Sequence, residues 1–573
     1  MTMACAMART MAGTMAETMA VMAKGMKRVT LLGLAVCVLG PGMMRAQGSG
    51  AGSGAGLDAK ALTLFKQPAD SWPTYNGDYS GRRYSELAQI NTKTVGDVKV
   101  AWKYKIEGVG STRAMASPII KSTPLMVNGV VYFTIPDHVY AVDARTGNPI
   151  WHFDWEDHGG HLLGQRGVGM YGNWIYFLTP DGWFLSLDSR TGKEHWRKKV
   201  ADEKLQYFTT MSAMIVKNHV LIGVGGDAMD VRGYLEARDP ETGEQQWRWW
   251  SEPLKMGDPG SETWPNQASM DHGGGMTWLP GTYDPALNLI YWGTGNTNPV
   301  FAGQGRKGAN LYTDAIVALN PDTGKMAWYF QASPHDTHDW DNVETPVLFD
   351  AVIDGKPRKL LAQAARCGYF FVLDRTNGKY LVSKPFAHTA NWSKGVDERG
   401  QPIPNVGKEP HVDGSMVDVP INGATNWPPP SYSPQTKLFY VNANEGYGVA
   451  YLYDTSPEPQ GYGGGGSAAF DAHSALIALD VKDGSVRWRH DPKGEGAEGG
   501  GMSGGILTTA GGLLFTGDST RVAAFDAGSG AILWSLPLGS RVSNGPSTWM
   551  LDGKQSVLVG AGDTLYSLTV GGK

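Results

Sequence analysis

AVDARTGNPIW, residues 141–151, returns along the chain with its turn and its ending intact. It reads SLDSRTGKEHW at 186–196, ARDPETGEQQW at 237–247 and ALNPDTGKMAW at 318–328. It continues as ALDVKDGSVRW at 478–488 and AFDAGSGAILW at 524–534. VLDRTNGKYLV at 372–382 is a worn copy, with Val382 where the others have Trp. Asp or Asn and a Thr-like residue bond turn backbone, and the glycine permits a positive φ, so each copy predicts strand, turn, strand. The terminal Trp is expected to pack between neighbouring sheets, and the small first residue leaves room for its ring. Gly147 and Gly192 are 45 residues apart, the length of one four-stranded propeller blade (~40–45 residues). Gly378 and Gly484 are 106 apart, which predicts one more blade hidden around 432–450. Seven visible copies and one hidden make eight. Residues 98–106 (VKVAWKYKI) and 556–569 are expected to complete a shared blade and close the ring. The fold expected is therefore all-β, an eight-bladed β-propeller over 72–573.

Composition agrees. The 573 residues include 77 Gly and 20 Trp, and only 18% are charged, which does not suit a helical bundle or coiled coil. No run reaches the ~18 apolar residues of a membrane span. A formal charge of −5 argues against a nucleic-acid partner, which needs a basic face. Met26-Lys27-Arg28, then VTLLGLAVCVLG (29–40), Pro41-Gly42 and Ala46, read as a secretory signal over 1–46, with Met26 as an alternative start. Export to the periplasm or outside is the expected localisation. Removing 1–46 takes five Lys/Arg and one Glu and moves the charge to −9. Of the three cysteines only Cys367 then remains, so no intrachain disulfide is expected. GSGAGSGAG, 48–56, reads as a flexible tether within a lead-in of 47–71.

The Trp-ended repeat resembles the tryptophan-docking motif of quinoprotein alcohol and methanol dehydrogenases. So do the longer stretches around it: WPTYNGDYSGRRYSELAQIN (72–91), GGGMTWLPGTYDPALNLIYWGTGN (273–296), HDTHDWDN (335–342), ARCGYFFVLDRTNG (365–378), GATNWPPPSYSP (423–434) and GGILTTAGGLLFTGD (504–518). The resemblance implies an eight-bladed propeller that holds pyrroloquinoline quinone (PQQ) and calcium on its axis. It implies an enzyme that oxidises an alcohol or sugar-like substrate by hydride transfer. Trp278 matches the aromatic floor under the quinone, and a flat ring suits a planar heteroaromatic ligand. Asn296 matches a calcium ligand, its amide oxygen being a hard donor. Asp341 matches the catalytic base and also a metal ligand. Arg166 and Arg366 match arginines that bind the quinone's carboxylates and dione oxygens. Asn426 matches another quinone contact. Lanthanide-using members carry a second Asp two residues after the base; Val343 stands there, which favours calcium.

Three departures stand out. Lys121, in KSTPLMVNG, replaces the family's glutamate, and it either pairs with a quinone carboxylate or obstructs the site. In GVGGDAMDVRG (223–233) the metal-ligating glutamate is matched by Asp227 or, one alignment step away, Asp230. The adjacent cysteines that many members carry near the first quinone-binding arginine are absent before Arg166. The alternative to an enzyme is a propeller that has lost its cofactor and serves as a binding or scaffold protein. The sequence has no C-x-x-C-H haem attachment, so electrons are expected to pass to a separate acceptor such as a soluble cytochrome c. His335 and His338 among their acidic neighbours are weak evidence for zinc. GMSGG (501–505) matches a hydrolase string without the strand-to-helix context that string needs.

Overall fold

The turn glycines explain how one sheet locks onto the next. In the computed structural model, which describes residues 65–107, 118–156, 159–160, 163–226, 228–386, 389–456, 459–493 and 502–571, Asp143 Oδ1 accepts hydrogen bonds from the Arg145 and Thr146 backbone N–H groups and from Thr146 Oγ1. The turn carries Gly147 through φ 73°. A Cβ there would stand 2.5 Å from the ring of Trp102, which comes from the neighbouring sheet and donates its indole N–H to Ala144 O at 3.0 Å. The same docking recurs with Trp151 on Gly192, Trp196 on Gly243, Trp247 on Gly324, Trp328 on Gly378 and Trp488 on Gly530. Val382 stands on Gly484 in the worn copy, and Trp534 packs into the cluster that holds Val98 and Trp549. Each sheet thus sends its last strand's ring onto the next sheet's turn, and the series returns to its origin.

Among the described residues, eight antiparallel sheets of four or more strands follow in chain order. Blade one is Leu125–Val127, Val130–Ile135, His138–Asp143 and Pro149–Asp154. Blades two to five repeat that order through Pro385. The first three strands of blade one are almost wholly buried and the fourth alternates exposed and half-buried residues, so the fourth is the outer strand. The closing blade joins Val98–Lys105 to Thr564–Val570, Lys554–Ala561 and Ser547–Leu551, with Val98 opposite Val570 and Lys105 opposite Thr564. The shared blade expected from 98–106 and the tail is present.

The blade expected around 432–450 is not a separate one. Ser431–Ser433 and Leu438–Leu452 pair with Gly465–Asp480 and Val486–His490, so they belong to the blade whose turn motif lies at 478–488. The count of eight holds because the terminal strands form the eighth sheet. The extra length between Gly378 and Gly484 is taken up by a two-stranded ribbon, Ser393–Val396 with Pro402–Pro404, and by the long strands of blade six. The signal segment 1–46 and the 48–56 tether lie outside the described residues. No helix among the described residues is long and apolar enough to cross a membrane.

Residues 72–85 run where the inner strands converge. Backbone hydrogen bonds tie Trp72 to Met126, Tyr79 to Tyr283, Ser80 to Leu348, Arg82 to Tyr432 and Arg83 to Thr508. The Tyr79 hydroxyl donates to Ile215 O. One short segment therefore stitches blades one and three to seven together from the axis.

The docking turn offers a direct test. Gly530→Ala places a methyl 2.5 Å from the Trp488 ring at φ 75°, whereas Gly539 has the same φ with nothing within 4 Å. Gly530→Ala is expected to cost about 2–3 kcal/mol, through backbone strain and overpacking together. Gly539→Ala should show the strain alone. Urea midpoints followed by tryptophan fluorescence compare the two; equal shifts would show that the ring contact contributes nothing.

Candidate functional site

Docking turns join third to fourth strands, so in an antiparallel blade they lie at the end opposite the second-to-third turns and the blade-to-blade crossovers. Those latter segments carry every candidate residue. Lys121 precedes blade one, Arg166 precedes Gly169–Tyr171, Trp278 precedes Thr282–Asp284, Asp341 precedes Val347–Ile353 and Asn426 precedes Ser431–Ser433. Asn296 follows Leu289–Gly293 and Arg366 follows Lys356–Ala364. Residues as far apart in sequence as Lys121 and Asn426 are thereby gathered at one end of the ring.

Asp341 is the centre of the gathering, and it is 4% exposed. Its Oδ1 accepts the Asn296 backbone N–H at 3.1 Å and its Oδ2 accepts from Arg366 Nη1. Gly295 is required beside it, because a Cβ there would lie 2.3 Å from Oδ1. Burial pushes the Asp341 carboxyl above the ordinary range, against the pull of Arg366, the Asn296 N–H and the Trp278 indole. Asn296 is fully buried, and its amide oxygen has no hydrogen-bond partner. A buried, unpaired amide oxygen is costly in an apolar setting and is a suitable hard donor for a cation.

Arg366 serves two carboxylates, reaching Asp341 with Nη1 and Asp339 with Nη2 at 3.7 Å. Burial works against its charge, yet Asp339, Asp341 and Glu344 together hold it above the ordinary arginine range. Asp339 is pushed up to about 7, chiefly by burial. Glu344, also buried, is pushed up to about 8, and neither of its oxygens closes a standard hydrogen bond. Sequence reading missed Asp339 and Glu344 as members of this group; their presence in the DWDNVET stretch beside Asp341 was the available signal.

The second half of the site is aromatic and cationic. The Arg166 guanidinium lies 4.7 Å from the Trp278 ring and 5.3 Å from the Trp427 ring. Burial lowers its pKa to about 10, opposed by Tyr75 and Asp341. Lys121 donates from Nζ to Leu163 O at 2.7 Å, and its pKa is lowered by burial and then by the Arg166 charge. Two cations thus sit close enough to disfavour each other, a cost that an anionic ligand removes. Trp427 had no role assigned from sequence, although it follows Asn426 directly. Asn426 itself is turned onto its own loop, accepting from Trp427 N at 2.8 Å and donating to Asn422 O at 3.0 Å. The loop reaches the site through Ala424, whose N–H donates to Arg366 O at 2.7 Å.

Asp227 lies outside the described residues. Asp230 has both carboxylate oxygens engaged: Oδ2 meets His272 Nδ1 at 2.5 Å and Oδ1 accepts Gly461 N at 2.9 Å. Asp230 is thus tied to His272 and to the blade-six segment at Gly461. No cluster of three or more His, Cys, Asp or Glu side chains that could hold a metal ion occurs among the described residues, which also sets aside zinc at His335 and His338. His335 Nδ1 instead faces Gly308 O at 3.0 Å, and His338 Nε2 faces Lys408 O at 2.9 Å. Cys367 is buried and free.

Comparison with known proteins follows the same lines. A family model described as the β-propeller domain of glucose/ethanol/alcohol dehydrogenase, under the name PQQ, matches residues 72–418. A second model, described as outer membrane protein assembly factor BamB, matches 472–571. The quinohemoprotein alcohol dehydrogenase of Comamonas testosteroni is 37% identical over 86% of this chain and 72% of its own length. Its solved structure superimposes with a TM-score of 0.80 at 33% identity, covering 90% of this chain and 82% of that one. The quinoprotein alcohol dehydrogenase PedH of Pseudomonas putida is 36% identical over 84% of both chains. A europium-containing methanol dehydrogenase superimposes with a TM-score of 0.79 at 28% identity, covering 89% of this chain and all of that one. Eight docked blades, an Asp341–Arg366–Asn296 centre facing Trp278, and these matches together show that the chain belongs to the PQQ-dependent alcohol dehydrogenase family of β-propeller quinoproteins.

Proposed function

We propose that this protein is a periplasmic dehydrogenase dependent on PQQ and calcium that oxidises the hydroxyl of an alcohol or sugar-like substrate. One observation carries the reading: Asn296 is fully buried with an unpartnered amide oxygen, and its backbone N–H donates to Asp341, which also meets Arg366 and the Trp278 indole. The donor set suits both groups. Asn296 Oδ1 and Asp341 would hold calcium. Val343, two residues past Asp341, offers no further oxygen to a lanthanide. Trp278 would carry the planar ring system, and Arg166, Lys121 and Arg366 would meet its oxygens. The chemistry this pair supplies when bound is two-electron acceptance and Lewis-acid polarisation.

The chain's own residues then have defined tasks. Asp341 takes the hydroxyl proton as the carbinol hydrogen leaves as hydride, so the alcohol becomes a carbonyl compound. Arg366 keeps that carboxylate charged and aimed. The buried wall around Asn296, Thr294 and Trp340 excludes water. Electrons leave to a separate acceptor, a soluble cytochrome c. The secretory signal read at 1–46 supports export.

The test is reconstitution. Purified protein mixed with PQQ and calcium should retain quinone absorbance after desalting and reduce a dye when given primary alcohols. Loss of all quinone with either calcium or a lanthanide overturns the reading and leaves a cofactor-free binding propeller. Lys121→Glu sharpens it. If Lys121 pairs with a quinone carboxylate, the exchange should weaken quinone retention at least tenfold, roughly the 1.5–3 kcal/mol of a charge-assisted hydrogen bond. Tighter retention would show that Lys121 obstructs the pocket.

A further inference from the structure

Blade six carries a ribbon much longer than its blade needs. Val486–His490 pairs only with Leu476–Leu479, and Ser431–Ser433 only with Leu438–Tyr440. The paired strands nevertheless run on to Leu452 and Gly465, on the side of the ring that holds Asp341. The tip of this ribbon does not end in solvent. Gly461 N donates to Asp230 of the blade-three loop at 2.9 Å, and Val300 N of the blade-four loop donates to Gly461 O at 2.9 Å. Gln304 of that second loop donates to Ser456 O at 2.8 Å. Described residues of a segment rooted in blade six are thus fastened to loops of blades three and four at the end of the ring that holds Asp341.

Tyr462 projects from the fastened tip. Its hydroxyl donates to Asp339 Oδ1 at 3.4 Å, and its ring lies 6.3 Å from that of Phe301. Asp339 in turn shares the Arg366 guanidinium with Asp341. Along this line Asp341 is buried, Asp339 half-buried and Tyr462 exposed. A substrate chain leaving Asp341 on this side would pass Arg366 and Tyr462.

We propose that Tyr462 is the specificity-determining residue of this enzyme, a roof that admits short unbranched alcohols and turns away longer ones. The inference rests on the dehydrogenase reading above. Its physical basis is the fixed position of the tip: three hydrogen bonds to two other blades leave the phenol little freedom to retreat from a long substrate.

Quinone-loaded wild type, Tyr462→Ala and Tyr462→Phe are compared with ethanol and 1-octanol, with loading measured separately by absorbance after desalting. Tyr462→Ala should raise the octanol-to-ethanol ratio of kcat/KM by at least tenfold, mainly through a lower KM for octanol, a scale typical of pocket-size discrimination. Tyr462→Phe keeps the ring and should leave the ratio within about threefold of wild type. Melting curves confirm that both variants are folded. A loaded Tyr462→Ala enzyme with an unchanged ratio overturns the proposal alone. A wild type that takes up no quinone overturns the dehydrogenase reading and this inference with it.

Discussion

Asp341→Asn should fold, retain quinone and turn over alcohol about a thousandfold more slowly than wild type, within the ~10²–10⁴ range of a general base. Asparagine keeps the shape of the carboxylate but has one oxygen where Asp341 has two, so it keeps either the bond from the Asn296 N–H or that from Arg366 and places an NH2 at the other position. What it lacks is a site for the proton. The exchange also removes the charge that, with Asp339 and Glu344, holds Arg366 above its ordinary range, so the guanidinium loses part of its electrostatic support without losing its packing. Quinone retention within a few-fold of wild type, an unchanged melting curve and collapsed dye reduction would assign the loss to chemistry. Undiminished turnover would remove Asp341 from the role of base.

The largest effect on stability is expected from Arg83. It is fully buried with no acidic partner in hydrogen-bonding contact, and its guanidinium donates to three carbonyls: Ile506 O at 3.0 Å, Tyr75 O at 2.7 Å and Pro546 O. It also stacks 5.2 Å from the Trp72 ring. Burial lowers its pKa to about 10, a measure of how completely water is excluded. Arg83→Ala leaves those carbonyls unpaired and opens a cavity, and the sum should be about 3–5 kcal/mol. Arg83→Lys should recover only part, because an ammonium lacks the guanidinium's planar fork of donors. Urea unfolding measures both; an unchanged midpoint in Arg83→Ala would show that the axial segment does not bind the blades together.

The eight blades were legible because the turn code is local. Asp143, Asp188, Asp239 and Asp526 each cap their own turn within three residues, so the pattern survives in any copy without tertiary help. Blade six was misplaced for the same reason. Its long ribbon carries no turn code, and the motif before it is worn at Val382, so spacing alone suggested an extra blade. The site was legible where long motifs carry single residues to fixed loop positions, as for Asp341, Asn296, Arg366 and Trp278. It was not legible where a role depends on which distant loop arrives. Nothing around Asp230 announces its contact with Gly461, 231 residues away. Trp427 gains its meaning from Arg166, and Tyr462 from Asp339, by contacts that no neighbouring residue encodes.

The closing blade also imposes an order in time. Val98–Lys105 finds its partner only in Thr564–Val570, and the axial segment before it needs Ile506 and Pro546. During synthesis from the N-terminus, more than 400 residues must emerge before either contact can form. Blades one to seven can each pair their own strands as they appear, but the ring stays an open arc until Thr564–Val570 is made. Contacts of such sequence separation form late and slowly. A nascent chain is therefore held short of its native state by topology itself for as long as that strand is missing.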